Sequence, residues 1–477
     1  MAHLLRRIAR AFQFGYQAID STPRRKAPIN VLRNEDGELL QTQRSQLVST
    51  TRDLLRNFAA AKFALNKHLD YTSTFHFQSR TGEDALDRRI ENLMAWWSNP
   101  RNCDLTGRHD FSRLTRMIES CATVDGDVWV LKLANGRIQV IEGDRVRTPP
   151  ELGEVPIPAG GMIINGAVVD ESGKLVGIAI CKRMVLNAFG QSAGFIFDRY
   201  VPAEFILQHG YFWRYDQVRG VSPFAVGLNS FKDVMEASEY ALIKAKIVSL
   251  VGLKFTRADG NEAFPTSAYG EGTGQDASKN TYNVDFGQMP YVLDMNPGDT
   301  AEVVESQHPS TQFQEYMRMM LSCALKSLDI PMCFYDEAYT NYSGMRQAWV
   351  AYQQSAQVKQ RNLVRLLDDI TFWKLATWIA AGLVTLPKGL TIYDLKWEWV
   401  GSGVPWIDPL KEASADQMAI NCGLTSRQRQ CKERGDDWFS IVNELAQENT
   451  IMKSLGVNPI NTPLDGALLN EDKANAA

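Results

Sequence analysis

The sequence predicts a mainly helical α+β fold. Three observations predict it: apolar residues recur at helical spacing over 313–328, the run Met345–Ala381 contains neither Gly nor Pro, and β-rich segments lie between 121 and 181. With 477 residues, 44% of them hydrophobic and 22% charged, the chain is long enough for about three domains. It is therefore expected to be a folded protein with a sizeable core.

Two segments carry the helical prediction. Residues 313–328 place apolar side chains at the i, i+3, i+4 and i+7 spacing of one helix face. This stripe consists of Phe313, Tyr316, Met317, Met320, Leu321, Ala324, Leu325 and Leu328. A helix over Met345–Ala381 would be about 55 Å long, which exceeds the width of a small domain. The sequence therefore predicts that this second helix is a strut.

An earlier helix is predicted from Ser222, because Ser is a good N-cap and Pro223 suits the first helical position. It is expected to end near Gly252. Residues 257–281 are rich in Gly, Ser and Asn and predict an exposed, mobile loop, followed by a short β-like passage at 282–305. Pro309 and Ser310 then open the helix of the apolar stripe.

The β prediction comes from four segments, at 128–133, 137–141, 162–169 and 175–181. Turn-forming pairs at Asn135-Gly136 and Ser172-Gly173 separate them. We expect one small antiparallel sheet, preceded by packed helices between 44 and 97.

Charge and cysteine content exclude several classes of protein. The formal charge of −4 and the pI of about 6.0 exclude a molecule that binds nucleic acid over its whole surface. The seven cysteines form no C-x-x-C pair, which predicts a reducing compartment. The six histidines lack zinc-ligand spacing. The longest apolar run, 372–384, is too short to cross a bilayer, so no membrane partner is expected.

The first 26 residues carry six basic residues and one acid, with apolar residues on one helical face. They predict either an arm that binds nucleic acid or a partner, or a frayed or processed amphipathic terminus. A secretory signal is not expected, because arginines interrupt the apolar stretch.

Carboxylate pairs are the nearest approach to catalytic chemistry. They occur at Asp125/Asp127, Asp368/Asp369 and Asp436/Asp437. A two-metal nuclease needs several converging acids, whereas Asp125-Gly-Asp at the entry to a β segment is typical of a turn. The chain has no phosphate-binding loop of the G-x-x-x-x-G-K-[ST] type and no G-x-S-x-G elbow. We expect no catalytic residue, no cofactor, no metal and no enzymatic activity.

Several passages together resemble the portal proteins of tailed bacteriophages, in the lambda-type branch. They read RDLLRN at 52–57, DGDVWV at 125–130, VPAEFILQHGYFWRYDQVRGVSPF at 201–224, MNPGDTAEVVE at 295–305, YDEAYTNYSGMRQAW at 335–349 and WIDPLKEASADQMAINCGLTS at 406–426. Two departures concern local loops. Gly344 stands where the family usually has a second Ser, and residues 70–73 replace a Val-Gly-rich turn.

The resemblance implies a dodecameric ring at one capsid vertex, through which DNA is packaged and ejected. It implies an N-terminal arm and wing at 1–221, stem helices at 222–252 and 309–329, a clip with α/β structure at 253–308, a tunnel loop at 330–344, a long wing helix at 345–400 and a crown-side region at 401–477. The implied partners are double-stranded DNA, the major capsid protein and scaffold, the terminase large subunit and head–tail adaptors. The implied location is the virion, after assembly in the host cytoplasm.

The resemblance also places the loop at 330–344 where DNA passes closest. Its acidic, polar and aromatic residues, with one arginine just beyond it, are the expected channel residues: Tyr335, Asp336, Glu337, Tyr339, Asn341, Tyr342 and Arg346. Acidic residues are suited to a channel through which DNA must slide, because every added cation strengthens sequence-independent binding to the DNA phosphates. The same segment is also explained as a capped turn between two helices.

Arg318 and Lys326, eight residues apart, fall roughly on one face of the second stem helix. They are expected either to face the channel, to pair with a neighbouring subunit, or simply to be solvated. Two other functions stay open at this point. One is a metal-dependent nuclease that acts on phage DNA, and the other is a different ring-shaped virion adaptor, although adaptors are generally shorter.

Overall fold

The structure is a computed structural model. It describes residues 34–151, 153, 155–185, 192–250, 253–256, 300–303, 311–336, 342–401, 403 and 409–456. The chain divides into two compact units, one formed by Met1–Val226 with Ser327–Ala477 and the other by Gly227–Lys326. We refer to them as unit 1 and unit 2. The predicted α+β class is confirmed, because helices and antiparallel sheets both occur.

Unit 1 begins with six helices and contains the long helix and the C-terminal helices. Their bounds are α1 Glu35–Glu38, α2 Gln41–Asn57, α3 Ala59–Thr72, α4 Asp84–Trp97, α5 Pro100–Cys103, α6 Phe111–Asp125, α9 Tyr342–Ala380, α10 Pro409–Asn421, α11 Arg427–Glu433 and α12 Trp438–Ser454. Helix α6 begins at a true N-cap, since the Asp110 side chain accepts a hydrogen bond from Arg113 N.

The strands of unit 1 form three separate antiparallel sheets. Their bounds are β1 Phe75–Ser79, β2 Asp127–Lys132, β3 Ile138–Glu142, β4 Met162–Ile164, β5 Ala167–Val169, β6 Leu175–Val185, β7 Ser192–Pro202, β8 Ile206–Gly210 and β11 Trp397–Gly401. The strand orders are β3-β2-β8, β4-β5-β6-β7 and β1-β11. The expectation of one small sheet was therefore wrong. Strand β2 is apolar on both faces, so both faces must be covered by other elements, and a single sheet with one solvated face does not provide this.

The core of unit 1 explains this double covering. Val128 and Val130 of β2 face a cluster with α4, α6 and α9, while Trp129 and Leu131 face a second cluster with β5 and β6. Alternate side chains of a strand point to opposite faces, so one strand joins the helical layer to the four-stranded sheet.

Helix α9 contributes most to the helical layer. It has 39 residues, which corresponds to about 58 Å. Its buried residues repeat at helical spacing and include Leu363, Leu366, Leu367 and Ile370. The predicted long helix is confirmed, and it is an integral part of the core.

Unit 2 contains the helix α7 (Leu228–Leu250), the strand β9 (Leu253–Thr256), the strand β10 (Thr300–Val303) and the helix α8 (Thr311–Leu325). The two helices contact each other, and β9 pairs with β10 in antiparallel register from Leu253 opposite Val303. Helix α7 starts later than predicted. Pro223–Val226 form a separate 3₁₀ turn, because Ser222 caps this turn through Phe224 N and Gly227 interrupts the helix.

The apolar stripe predicted over 313–328 lies on α8 and is buried only toward the C-terminal end of that helix. Leu321, Ala324 and Leu325 are buried, while Tyr316 is exposed. Several sequence predictions lie outside the described residues: the basic arm, the mobile loop at 257–281 and the turn at Pro309-Ser310. No described helix has the length and apolar character that a bilayer span requires.

Candidate functional site

The loop that the sequence singled out is held at its start by aromatic packing. The Phe334 ring stacks on Tyr71 of α3, with 5.9 Å between centroids, and meets Tyr352 of α9 edge to face at 5.2 Å. Tyr335 packs against Phe63 of α3 at 5.4 Å. Such pairs each add about 1 kcal/mol beyond burial. The first half of the loop is therefore fixed between two helices.

The turn just before this loop is tied to the long helix by polar contacts. Lys359 of α9 donates to the Leu328 carbonyl at 2.9 Å and to the Asp329 carboxylate at 3.0 Å, and Ser355 donates to the same carboxylate at 2.6 Å. Asp329 has a φ of +63°, a left-handed conformation that Asp tolerates better than most residues. These bonds fix the direction in which the chain enters the loop.

The other predicted loop residues are distributed as follows. Asp336 is half-buried, and its N–H donates to the Met332 carbonyl. Arg346 forms an ion pair with Glu412 of α10. Tyr342 is the first residue of α9, which agrees with the predicted helix boundary. Glu337, Tyr339 and Asn341 lie outside the described residues, so their predicted place in the channel stays a prediction. Arg318 and Lys326 are both exposed in unit 2, and their predicted channel role also stays a prediction.

The Asp125-Gly-Asp motif is the centre of a buried charge network. Asp127 accepts two bonds from the Arg219 guanidinium, at 2.7 and 2.9 Å, and one from Arg44 at 2.9 Å. Burial alone would raise the pKa of Asp127, but the charges of Arg219 and Arg44 outweigh it and hold the pKa below its ordinary value. This network joins α2, β2 and the segment before the 3₁₀ turn.

Gly126 makes this close approach possible. Its φ is +96°, and a Cβ at this position would lie 2.4 Å from the Gly220 carbonyl oxygen. A side chain is excluded here on both counts. The turn predicted from the sequence is present, but the two aspartates serve ion pairs with distant arginines.

Asp125, Glu142 and Asp144 are the one group among the described residues that could hold a metal ion by spacing. Arg52 occupies the space between them, since its Nη2 lies 2.6 Å from Asp125, 3.1 Å from Glu142 and 3.3 Å from Asp144. Arg183 also binds Glu142 and Asp144, at 2.5 and 2.7 Å. A cation would have to displace both guanidinium groups, so the geometry favours a structural ion-pair network over a nuclease centre.

A second buried network is centred on Glu119 of α6. Glu119 accepts bonds from His68 Nε2 and His209 Nε2, both at 2.8 Å, and from the Tyr211 hydroxyl at 2.5 Å. Burial would raise the pKa of Glu119, but the bonds from His209 and His68 hold it well below its ordinary value. The network ties α3, α6 and β8 together.

Sequence reasoning missed both networks. Each partner lies 51 to 93 positions from the Asp127 or Glu119 carboxylate that it binds, and spacing along the chain does not predict which residues meet. One indication was present: Arg52, Asp127 and Arg219 all lie within the passages that carry the family resemblance.

Comparisons with known proteins indicate the same family as these passages. The profile described as phage portal protein, lambda family, matches residues 22–360. The chain belongs to the lambda family of phage portal proteins. The predicted resemblance is thereby confirmed, and the protein has the role of a portal, or head–tail connector, in a phage particle.

Individual relatives of this portal protein are distant. It is 23% identical over 400 residues to the probable portal protein of Halomonas phage phiHAP-1, which covers 79% of this chain and 73% of the relative. It is 22% identical over 190 residues to portal protein B of Escherichia phage lambda, which covers 36% of this chain and 34% of the relative. A solved structure titled as the neck of an empty GTA particle with C6 symmetry has 14% identity and a TM-score of 0.46, covering 82% of this chain and 93% of that one.

Proposed function

We propose that this portal protein acts as a dodecameric ring at one capsid vertex and lets double-stranded DNA pass through its centre during packaging and ejection. In this role the chain itself catalyses no reaction. Its partners in this role are the terminase large subunit, the major capsid protein with its scaffold, and head–tail adaptors. Assembly takes place in the host cytoplasm. Family membership is the observation that carries the proposal.

Exposed apolar residues in unit 2 support the ring. Tyr240, Leu242 and Ile243 of α7 and Tyr316 and Met319 of α8 are all exposed. Exposed apolar side chains that cluster on a surface are typical of a contact with another chain. We propose that α7 and α8 are the stem helices of the portal and pack against the same helices of adjacent subunits, with the clip between them in sequence.

Charge supports the passage of DNA. The chain carries 51 basic and 55 acidic residues, and the guanidinium groups of Arg52 and Arg219 are occupied by internal ion pairs. Free cations would bind phosphate and retain the duplex. We propose that the loop at 330–344 is the narrowest part of the channel and that Asp336 and Glu337 keep it from binding DNA.

Native mass spectrometry and negative-stain imaging of the full chain test the ring. The expected result is a ring of about twelve subunits, held by one repeated heterologous contact, with a hole wide enough for a DNA duplex. A stable monomer at micromolar concentration would contradict the proposal.

Phage assembled with Asp336→Lys and Glu337→Lys together tests the loop. We expect fewer filled particles or slower ejection, because each added lysine binds phosphate during passage. A matched control is Glu151→Lys together with Glu171→Lys, the same change of charge at two exposed acids outside the loop. Normal genome delivery by the double variant would show that the charge of this loop does not matter.

A further inference from the structure

The segment between β8 and the 3₁₀ turn presents aromatic side chains to solvent. We name residues 211–217 the aromatic loop. Phe212, Trp213 and Tyr215 are exposed there, and Tyr215 is fully so. Aromatic residues are enriched at the centres of protein interfaces, where they supply most of the binding energy. The aromatic loop is therefore a candidate contact surface.

The loop is held in place by its own hydrogen bonds. Val221 N donates to the Tyr211 carbonyl at 3.0 Å and closes the loop at its base. The buried Gln217 side chain accepts from Trp213 N at 2.9 Å and donates to the Arg219 carbonyl at 2.6 Å. A loop that is already ordered loses little entropy on binding, so its exposed rings can contribute fully to affinity.

The charge of the loop indicates what it binds. Arg214 and Asp216 form an ion pair at 3.9 Å, which leaves the exposed surface without net charge. Contact with a nucleic-acid backbone would need unpaired cations. A protein surface with an apolar cavity is the matching partner.

The same unit contains such a cavity. It measures about 230 Å³, and we name it the aromatic pocket. Its apolar walls are Phe75, Phe77, Met94, Phe111 and Trp399. Two buried hydroxyl groups also line it, those of Ser73 and Thr115. The rest of its lining is His76, Glu91, Ala95, Ser98 and Ser112. Each of the two buried hydroxyl groups donates its proton to a backbone carbonyl, of Leu69 and Phe111 respectively, so each oxygen retains acceptor capacity.

We propose that Tyr215 of one copy of this chain inserts into the aromatic pocket of the next copy. The ring fills the apolar cavity, and the hydroxyl donates to Ser73 or Thr115. This contact rests on the ring proposed above and specifies which surfaces of unit 1 meet in it. Tyrosine fits better than phenylalanine or tryptophan, because its polar tip finds an acceptor inside the cavity.

The two surfaces lie at opposite ends of α6. Tyr211 N donates to the Gly126 carbonyl at the C-terminal end, whereas Phe111 and Thr115 line the pocket at the N-terminal end. The helix has 15 residues, or about 22 Å. A ring built head to tail needs two different complementary patches on each subunit, and this separation provides them.

Photo-crosslinking of the full chain tests the contact directly. Tyr215→p-benzoylphenylalanine is assembled from a mixture of isotopically light and heavy chains. We expect light-to-heavy crosslinks that map to Met94 or to residues 111–115. Crosslinks confined to single chains, or crosslinks between chains that map elsewhere, would overturn the inference.

Variants test the energy of the contact. Tyr215→Ala should raise the concentration at which half the rings dissociate by at least tenfold, as expected for a buried aromatic anchor. Ser112→Trp, at the exposed rim of the pocket, should do the same by blocking it. Tyr393→Ala, an exposed tyrosine elsewhere in unit 1, is the matched control. If the wild type forms rings and both Tyr215→Ala and Ser112→Trp form equally stable rings, the proposed contact is refuted but the ring is not. If the wild type forms no rings, the proposed function itself is refuted.

Discussion

At the scale of single residues, the buried charges of unit 1 determine how the chain is connected. Arg219 is almost fully buried, and besides binding Asp127 it donates to the backbone carbonyls of Gly143 and Val146 at 2.9 Å. It also donates to the Asn165 carbonyl, so one guanidinium satisfies groups from three separate segments. A planar group with five donors is suited to this task, and lysine could not replace it.

Asp127→Asn should lower the free energy of unfolding by about 3 kcal/mol, because it leaves Arg44 and Arg219 buried without a negative partner. Urea denaturation measures the change. The control is Asp70→Asn, which breaks the exposed Asp70–Arg116 pair and should cost less than about 1 kcal/mol. Equal effects of the two variants would show that burial does not strengthen the network.

Lys374 on α9 offers a test by pH. Its ammonium lies 5.2 Å from the rings of Trp97, Trp373 and Trp378 and donates to the Gly136 carbonyl at 3.1 Å. Burial lowers its pKa from 10.5 to about 8. Below pH 8 the Lys374 ammonium is charged in both the folded and the unfolded chain, and burial of that charge destabilises the fold. Between pH 8 and 10.5 only the unfolded chain keeps the proton, so stability rises with pH.

Lys374→Met should therefore stabilise the protein by about 1 kcal/mol at pH 7. The advantage over the wild type should shrink as the pH rises from 8 to 10, which thermal unfolding at several pH values would measure. Lys359→Met is the control and should destabilise, since Lys359 has the Asp329 carboxylate as a partner. A difference between Lys374→Met and wild type that is independent of pH would contradict the lowered pKa.

At the scale of elements, sequence pattern predicted what is local. The Gly- and Pro-free run became α9, and the four β-rich segments became β2 to β6 with the expected turns. The missed strands were β1, β7, β8, β9 and β11, and the missed helices were α1, α5, α6 and α10 to α12. Strand β1 pairs with β11, and more than three hundred residues separate the two strands in the chain. The sequence pattern of either strand does not indicate that the other is its partner.

The C-terminal helices differ from the others in burying no residue. No described residue of 409–456 is buried, although α10 and α12 carry exposed large apolar side chains such as Leu410, Leu445 and Ile451. Helices of this length are marginal without packing. We expect fast amide exchange there in the dissociated chain and strong protection in α6 and α9.

Hydrogen-exchange mass spectrometry measures this difference. Protection of α12 equal to that of α6 in a monomeric sample would contradict it. If the crown side is covered by neighbouring subunits, protection in α10 to α12 should rise on assembly, while that of α6 should change little.

At the scale of the whole molecule, the slight excess of acid predicts weak binding of DNA. We expect assembled protein to bind a short duplex more weakly than about 10 μM at physiological salt, and the double lysine variant of the loop to bind more tightly and with a steeper dependence on salt. Fluorescence anisotropy measures both. Tight binding by the wild type would contradict a channel that does not retain DNA.

Composition and local pattern determined the helical strut, the β-rich segments and, through dispersed passages, membership of the portal family. These properties depend on neighbours within a few turns or on motifs that can be read in order. Only the tertiary structure decided that Asp127 binds Arg44 and Arg219, that Glu119 collects two histidines, and that aromatic rings fix the start of the loop before α9. Buried charges choose partners by proximity in space, and that proximity exists only after segments far apart in the chain have packed together.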